Sequence, residues 1–351
     1  MLGAIAVGIG AVVGVVLFVP FVALNYRRRG RLRGGRMLLW AAALVYFWAI
    51  WTYTLLPLPD PDTIRCAGVN LNVLAFVDDI RDAFARGGNP LLERGLLQLA
   101  LNVVLFVPLG FFIRVLGGRG ILVAGLAGLG TSLIIEFTQL TGVWGLYPCA
   151  YRVFDVDDLL TNTVGALVGS GIALLVPRRH RGMPRLDTAD DPRPVTRGRR
   201  FLAMLCDLVG ITLSQGAIAL IVQLGLHAFG RDDLVEAGTA ASVTGAVVAL
   251  AIWLVAVLAT GGTIGDLSVQ LRYVSGPVPA PFARLLRFLG GVGGYVLLGM
   301  IPGWGVLAWL FGLASVILLF TTHAGRGLPG VVSGQRLADA RAVRAQALSR
   351  N

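Results

Sequence analysis

Residues 151–177 read YRVFDVDDLLTNTVGALVGSGIALLVP, and this stretch decides the fold class. Its second part is a mainly apolar run of roughly 20 residues, the length that a helix needs to cross a bilayer. Its first part brings Arg152, Asp155, Asp158 and Asn162 to the mouth of that helix. At 100° per residue the two aspartates and the asparagine fall within an arc of about 80°. Because such a row is costly against lipid, we expect it to line a bundle interior or a functional site.

The composition of the whole chain agrees with that stretch. Hydrophobic residues make up 56% and charged residues 14% of the 351 residues, and the mean hydropathy is +0.77. These values exclude an ordinary soluble domain and predict an all-α, polytopic integral membrane protein. We predict about nine spans, at 4–24, 37–57, 96–116, 120–141, 157–177, 201–226, 239–260, 285–301 and 304–320. The last pair is either a hairpin that turns at Pro302–Gly303 or one long kinked span.

The distribution of arginine predicts the orientation. The chain has no lysine, and the arginines near the first span follow its apolar run, so we expect a membrane anchor and not a cleaved leader. With the N-terminus outside, 24 of the 30 arginines fall in the cytoplasmic loops. This excess predicts a multi-pass plasma-membrane protein with its N-terminus outside and its C-terminus in the cytoplasm. The net charge of +11 is then a topology signal, and no basic soluble face exists for nucleic acid.

Composition also divides the chain. Residues 1–177 form a five-span membrane module, and residues 178–198 form a polar, proline-containing cytoplasmic basic linker. A second membrane module occupies residues 199–335, and a cytoplasmic basic tail occupies residues 336–351. Basic clusters beside the spans predict membrane lipids as partners. The oligomeric state is left open.

Polar residues of three spans in the first module reach a similar depth. Asn102, Glu136 and Asn162 lie roughly 8–9 Å below the outer interface at 1.5 Å per residue. Gln139 shares a helix face with Glu136. We therefore expect a polar layer below Arg152, Asp155 and Asp158, and we expect the three residues of equal depth to be bonded or bridged by water.

Each of these residues also has a plain structural interpretation. Asn102 and Gln139 could be interhelical hydrogen-bond donors and nothing more. Arg152 could be the counter-ion of Asp155, three residues further on. Asp157 points to the opposite side of the helix and is expected to be solvated or to cap it. A functional site is favoured for Glu136 with the Asp155/Asp158 pair, because a buried carboxylate costs more than simple helix association requires.

The first module resembles a known family. The pattern N-x-x-x-F-x-P-x-G from Asn102, then E-x-x-Q from Glu136, then R-x-x-D-x-x-D-x-x-x-N-x-x-G from Arg152, is similar to the VanZ family. The segments LLPLPD at 55–60 and NLNVLAF at 70–76 fit its extracytoplasmic part. The resemblance covers roughly 37–177. It implies a link to teicoplanin-type glycopeptide resistance or envelope physiology, and it supplies no reaction.

The second module resembles the RDD family. Arg200 and Asp207 stand seven apart and share a helix face, and GTIG at 262–265 with LRYV at 271–274 is similar to the central loop of that family. The chain departs from the pattern where a second aspartate is expected, because Gly330 stands there and Asp339 comes nine residues later. Asp207 is then either a structural partner of Arg200 or a functional group.

The known catalytic and cofactor templates are absent. His180, His227 and His323 are isolated beside loops, and no metalloprotease, nucleophile-elbow, phosphate-loop or Cys-x-x-Cys pattern occurs. We expect no metal and no cofactor. Cys66 and Cys149 are the only cysteines in loops, and both loops are predicted to be outside, so we expect a disulfide.

Three functions remain open at this stage. The first is a binding or protective element that acts on an envelope lipid or a lipid-tailed glycopeptide. The second is a membrane-embedded enzyme in which Glu136 or Asp158 acts as a general base on a lipid-linked substrate. The third is a transporter in which Asp207 and Glu136 relay a cation.

Overall fold

A computed structural model describes residues 2–61, 63–85, 94–322 and 325–349; His323 therefore lies outside the described residues. The protein is all-α apart from two very small sheets, which confirms the predicted fold class. The helices are α1 Leu2–Arg29, α2 Gly34–Leu55, α3 Ala75–Ala85, α4 Arg94–Val115, α5 Ile121–Leu140, α6 Gly142–Gly145, α7 Val156–Ile172, α8 Arg197–Ala228, α9 Asp232–Ala237, α10 Thr239–Thr260, α11 Ile264–Ser268, α12 Ala280–Leu289, α13 Val292–Met300, α14 Gly305–Thr321, α15 Gly327–Ser333 and α16 Ala340–Leu348. The strands are β1 Val69–Asn70, β2 Phe154–Asp155, β3 Leu271–Val274 and β4 Arg336–Asp339.

Seven of the described helices are long and apolar enough to cross a membrane. The pair α12 and α13 counts as an eighth if it is one span, although it bends by 51°. The apolar helix α14 is shorter, at 17 residues. Because α13 packs against α14 across a turn at 301–304, the structure contains the hairpin. The sequence analysis did not anticipate the additional break at Gly290–Gly291, where two consecutive glycines separate α12 from α13.

The chain separates into two compact units. The first contains Met1–Gly14 and Arg33–Met183, and the second contains Val15–Leu32 and Pro184–Asn351. The predicted linker 178–198 is divided between them, because Gly182 donates its N–H to Val115 while Leu186 donates to Arg28. The tail is part of the second unit, since β4 pairs with β3 in an antiparallel sheet.

In the first unit, α7 packs closely against α4 and α5, and α2 lies against both of the latter. Ile50, Phe106 and Ile135 form a buried apolar cluster between these helices. Glycines allow the close approach: a Cβ at Gly110 would overlap the carbonyl of Ala166, and one at Gly169 would overlap that of Val107. Small residues at such contacts are how helices approach closely in lipid, where no hydrophobic effect drives them together.

In the second unit, α8 packs against α10 and α11, and α12 packs against α10 and α15. Ile211, Leu250, Trp253, Val257 and Phe288 belong to its buried apolar cluster. The Trp253 indole N–H donates to the Ser214 hydroxyl at 3.2 Å, which satisfies its polar atom within the bundle.

Candidate functional site

The polar cluster of the first unit is built at the beginning of α7. Asp155 is the N-cap: its backbone is extended, and its carboxylate accepts a hydrogen bond from the N–H of Asp157 at 2.9 Å. The same carboxylate accepts from the side-chain amide of Asn70 at 3.2 Å. A carboxylate at this position satisfies a free backbone N–H and meets the positive end of the helix dipole. Asp155 therefore determines where α7 begins and joins it to β1.

Two side-chain hydrogen bonds connect α7 to its neighbours. Asn102 on α4 donates its amide to the Asp158 carboxylate. Asn162 donates to the Ser132 hydroxyl of α5 at 2.9 Å, and that hydroxyl lies 3.5 Å from the carbonyl oxygen of Asp158. Asn162 Oδ1 is buried without a hydrogen-bond partner. Both asparagines thus form interhelical hydrogen bonds, as the structural interpretation of Asn102 predicts. Asn162 Oδ1 remains an acceptor without a donor.

Glu136 and Asp158 each have an uncommitted carboxylate oxygen. Glu136 is only 3% exposed, and its Oε2 accepts from the backbone N–H of Asp155 at 3.1 Å. Within the described part of the chain, no group donates to its Oε1, and none donates to Asp158 Oδ2. Neither acid forms an ion pair with a described arginine. Neither carboxyl group therefore has a direct counter-ion among the described arginines, and a negative charge on either would be costly away from water.

The three residues of predicted equal depth meet at this junction of α4, α5 and α7. Asn102, Glu136 and Asn162 do not bond to one another among the described contacts. Each bonds instead to a different neighbour, and Asp155 and Asp158 supply two of these partners. The first turn of α7 is thus the common element.

Arg152 does not pair with Asp155, so that expectation is wrong. Its guanidinium donates to the carbonyl oxygens of Thr54 at 2.9 Å and Leu56 at 3.3 Å, at the end of α2. Gln139 donates to the same Thr54 oxygen at 2.8 Å. The last carbonyl groups of a helix have no hydrogen-bond partner within the helix and attract cations. Arg152 binds these carbonyls of α2, whereas the Asp155 carboxylate already accepts hydrogen bonds from Asp157 and Asn70.

The hydroxyl of Tyr151 completes this capping by donating to the carbonyl of Leu55 at 3.2 Å. Burial raises the pKa of Tyr151, although Arg152 beside it acts to lower it. The phenol therefore stays protonated as a donor. The sequence analysis missed Tyr151 and Thr54 because a backbone carbonyl can accept a hydrogen bond whatever the residue type, so the sequence shows no pattern. The available signal was Pro57, which indicates that α2 ends just before it and leaves free carbonyl groups there.

Asp157 also departs from expectation, because it is buried and not solvated. Its carboxylate accepts from the backbone N–H of Leu74 at 2.7 Å. The segment before α3 therefore covers the side of α7 that the helical pattern assigned to water. The predicted capping function belongs to Asp155 instead.

A disulfide joins Cys66 and Cys149, whose Cα atoms lie 5.5 Å apart. Next to it, Ala67 donates its N–H to the carbonyl of Ala150 at 2.8 Å, and β1 pairs in parallel with β2. The disulfide and this short sheet hold the segment from residue 66 to residue 70 beside the start of α7. The third cysteine, Cys206, is free and buried.

In the second unit, Arg200 bonds to Asp266 and not to Asp207. Asp207 accepts from the Thr263 hydroxyl at 2.7 Å and from the Gly265 N–H at 2.6 Å. Thr263 and Asp266 form a capping box at the beginning of α11. Both predicted residues therefore bind the beginning of α11 and its N-cap Thr263, in the segment that the sequence analysis had likened to the central loop of the RDD family.

Asp339, nine residues after the expected aspartate position, is the centre of a separate ionic network. It is buried, and it bonds to Arg199 and Arg341, each at 2.7 Å. Burial acts to raise the pKa of Asp339, but the hydrogen bonds from Arg341 and Arg199 outweigh it and hold the pKa well below its usual range. Asp339 thus remains ionised and fixes β4 to α8.

No group of three or more histidine, cysteine, aspartate or glutamate side chains suited to a metal occurs among the described residues. The cluster at α7 offers carboxylate acceptors and amides instead. It can receive hydrogen-bond donors or a cationic group, and a carboxylate there could also accept a proton.

Comparison with known proteins concerns the part of the chain that contains this cluster. Neither the curated proteins nor the solved structures contain a match. Residues 39–177 match the family model described as VanZ/LLP1. This range runs from α2 to the end of the fifth span and includes all of the polar residues described above, so this part of the chain is similar to the VanZ/LLP1 family.

Proposed function

We propose that residues 39–177 form a binding or protective element that faces the outer leaflet of the plasma membrane. Its ligand would be an envelope lipid or a lipid-tailed glycopeptide, which links the protein to teicoplanin-type resistance. The family match supports this assignment because it covers the whole polar cluster. The amphiphilic ligand follows from the position of the cluster, at the end of apolar helices.

One observation supports binding above the other functions: Glu136 and Asp158 each keep one carboxylate oxygen without a donor among the described groups. The remaining oxygens hold α7 and α4 in place. A ligand that brings an ammonium group or several hydroxyl or amide donors would compensate the buried charge. The helices would at the same time offer an apolar surface to its acyl chain.

The proposed orientation agrees with this location. The arginine distribution supports an orientation in which the beginning of α7 and the Cys66–Cys149 disulfide are outside, where thiols oxidise. In this proposed orientation the linker and the C-terminal tail would be cytoplasmic.

The proposal can be tested in cells. The chain and its variants would be expressed in a susceptible bacterium, and growth inhibition by teicoplanin would be compared with inhibition by a glycopeptide that lacks an acyl tail. We expect the wild-type chain to raise the inhibitory concentration of teicoplanin selectively. Glu136→Gln retains an acceptor for the Asp155 N–H but cannot carry a negative charge. The double variant with Glu136→Gln and Asp158→Asn should abolish protection.

Asp78→Asn is the matched control, because Asp78 is exposed and its ion pair among the described residues is with exposed Arg81. It should protect like the wild-type chain, since exposed ion pairs contribute little. Equal protection by all variants at equal expression would contradict a role for the acidic cluster.

A membrane-embedded enzyme is the competing function of the same cluster. A carboxylate general base contributes about 10²–10⁴-fold to a rate, so Glu136→Gln would then reduce turnover by that factor. A lipid and metabolite comparison of cells with and without the gene would detect a product. An accumulating product that disappears in Glu136→Gln would favour the enzyme.

The second unit would be an RDD-like module on the strength of its sequence pattern alone. A cation-coupled transporter would use Asp207, but both of its oxygens already accept hydrogen bonds, from the N-cap Thr263 and from Gly265 in the first turn of α11. Sodium or proton flux in proteoliposomes, lost in Asp207→Asn, would support transport. We place it behind binding because Gly330 stands where a second acid is expected.

A further inference from the structure

The second unit contains a cavity of about 380 Å³ that the proposed binding function of residues 39–177 does not use. Its walls are mostly apolar and come from α8, α13 and α14, with Leu205, Tyr295 and Val316 among the lining side chains. This volume lies within the range of small-molecule sites, which are typically apolar with a few placed polar groups. The cavity is therefore large enough for the polar end and the first part of a chain of an amphiphile.

The polar end of the cavity contains two buried guanidinium groups. Arg287 is 6% and Arg200 is 4% exposed. Both lie over the ring of Tyr273, with guanidinium-to-centroid distances of 4.7 Å for Arg287 and 5.5 Å for Arg200. The Nε atoms of both arginines are buried without a hydrogen-bond partner. Two buried cations beside one ring, each with an unused donor, favour an anion as an additional partner.

Within the described residues, two arginines and two aspartates line the polar end of the cavity, so their formal charges balance, but they do not all pair directly. Asp266 pairs with Arg200, and Asp207 accepts from Thr263 and Gly265. Arg287 donates twice, at 3.0 Å, to the single carbonyl oxygen of Gly261 and has no carboxylate partner among the described ion pairs. A buried cation without such a partner is costly, so a ligand anion would be favourable here.

The cavity also has exposed apolar lining residues. Phe201 and Leu208 on α8, and Trp309 and Leu313 on α14, line it and are each more than 40% exposed. Both helices are apolar, so in a bilayer these exposed side chains would face lipid. An acyl or isoprenoid chain could enter from the bilayer while its headgroup reaches Arg287.

We propose that this cavity binds an anionic amphiphile, with a phosphate headgroup at Arg287 and Arg200 and its apolar chain between α8 and α14. Arg287 supplies a guanidinium that has no direct carboxylate partner among the described ion pairs. The proposal concerns the second unit and does not depend on the acidic cluster at α7.

The test uses the purified full-length chain in detergent with phosphatidylglycerol as the probe and zwitterionic phosphatidylcholine as the reference lipid. Lipids brominated in the acyl chain would quench Trp309, with Trp309→Phe identifying its share of the signal. We expect phosphatidylglycerol to quench at concentrations at least tenfold lower than phosphatidylcholine. Arg287→Gln should remove this preference.

Arg284→Gln is the matched control, because Arg284 lies one turn earlier on α12, is half-buried, is not among the residues that line the cavity, and donates to the carbonyl of Leu258. It should retain the preference. If Arg287→Gln misfolds, Gly312→Leu is the second test, because it changes no charge. A Cβ at position 312 would lie 3.5 Å from the ring of Tyr295, so the leucine side chain would fill the cavity and should also abolish binding.

Equal preference in Arg287→Gln and Arg284→Gln would overturn the proposal, and so would equal quenching by the two lipids. Inorganic phosphate separates the two sources of the anion. Displacement of the lipid only at millimolar phosphate or above supports a lipid site, whereas micromolar phosphate binding without any lipid preference would identify a free-anion site and overturn it.

Discussion

Replacing Gly169 by alanine should destabilise the first unit, whereas the same change at Gly171 should not. A Cβ at Gly169 would overlap the backbone carbonyl of Val107 on α4, and one at Gly171 would meet nothing within 4 Å. Both glycines belong to α7, so the two variants receive the same increase in helix propensity, about 1 kcal/mol at most.

The magnitude follows from the overlap. Inserting a methyl group into a packed contact costs about 1–3 kcal/mol. The atom that it meets is a carbonyl oxygen of the main chain, which cannot rotate away, so α4 and α7 must separate, and the cost should lie in the upper part of that range. Each kcal/mol corresponds to about 2–4 °C in a domain of this size. Gly169→Ala should therefore melt about 4–12 °C below Gly171→Ala.

The assay is thermal unfolding of the two purified variants in the same detergent, followed by tryptophan fluorescence and by the monodisperse fraction after heating. Gly110→Ala, which overlaps the carbonyl of Ala166 from the other helix, should repeat the loss. Equal melting temperatures for Gly169→Ala and Gly171→Ala would refute the close contact between α4 and α7.

Three other predictions concern topology, the disulfide and pH. Reporter fusions at residues 190 and 351 should both give cytoplasmic signals; an external signal at 351 with an internal one at 190 would contradict the span count. Thiol labelling of unfolded, unreduced protein should modify Cys206 but neither Cys66 nor Cys149 until a reductant is added, and labelling of all three without reductant would exclude the disulfide. Because the folded pKa of Asp339 is lowered, its carboxylate stabilises the protein above the ordinary pKa of about 4, and this contribution is lost as the pH falls further. Asp339→Asn should lower the free energy of unfolding at pH 7 by roughly 3–5 kcal/mol, the cost of a broken buried ion pair, and the melting temperature should fall accordingly. The difference in melting temperature between the variant and the wild-type chain should narrow at pH 3. A difference that does not change with pH would contradict the assigned ionisation of Asp339.

Hydropathy predicted the fold class because a span is a local property of the chain. The predicted span 239–260 coincides with α10, because glycines flank the helix and no charged residue extends its first or last turn. Where polar residues extend a helix, the prediction was too short: α8 begins at Arg197 and not at 201, since Thr196 caps it and Arg199 and Arg200 have buried partners.

The candidate site was predictable as far as helix faces determine it. Asn102, Asp158 and Asn162 meet because their spacing and depth place them toward the same junction. The partners of Arg152 and Asp157 were not predictable, because both bind backbone groups of segments distant in sequence. The long segment after α2 contains β1 and α3, which hydropathy does not reveal.

Direct binding of teicoplanin to the purified protein in nanodiscs tests the central claim about the acidic cluster most directly. The account predicts saturable binding to the wild-type chain that weakens at least tenfold when Glu136→Gln and Asp158→Asn are combined, and that is unchanged in Asp78→Asn. It also predicts weaker binding of a glycopeptide without an acyl tail. Equal affinity of the double variant and the wild-type chain, in protein that melts at the same temperature, would contradict the assignment of this cluster as the binding site.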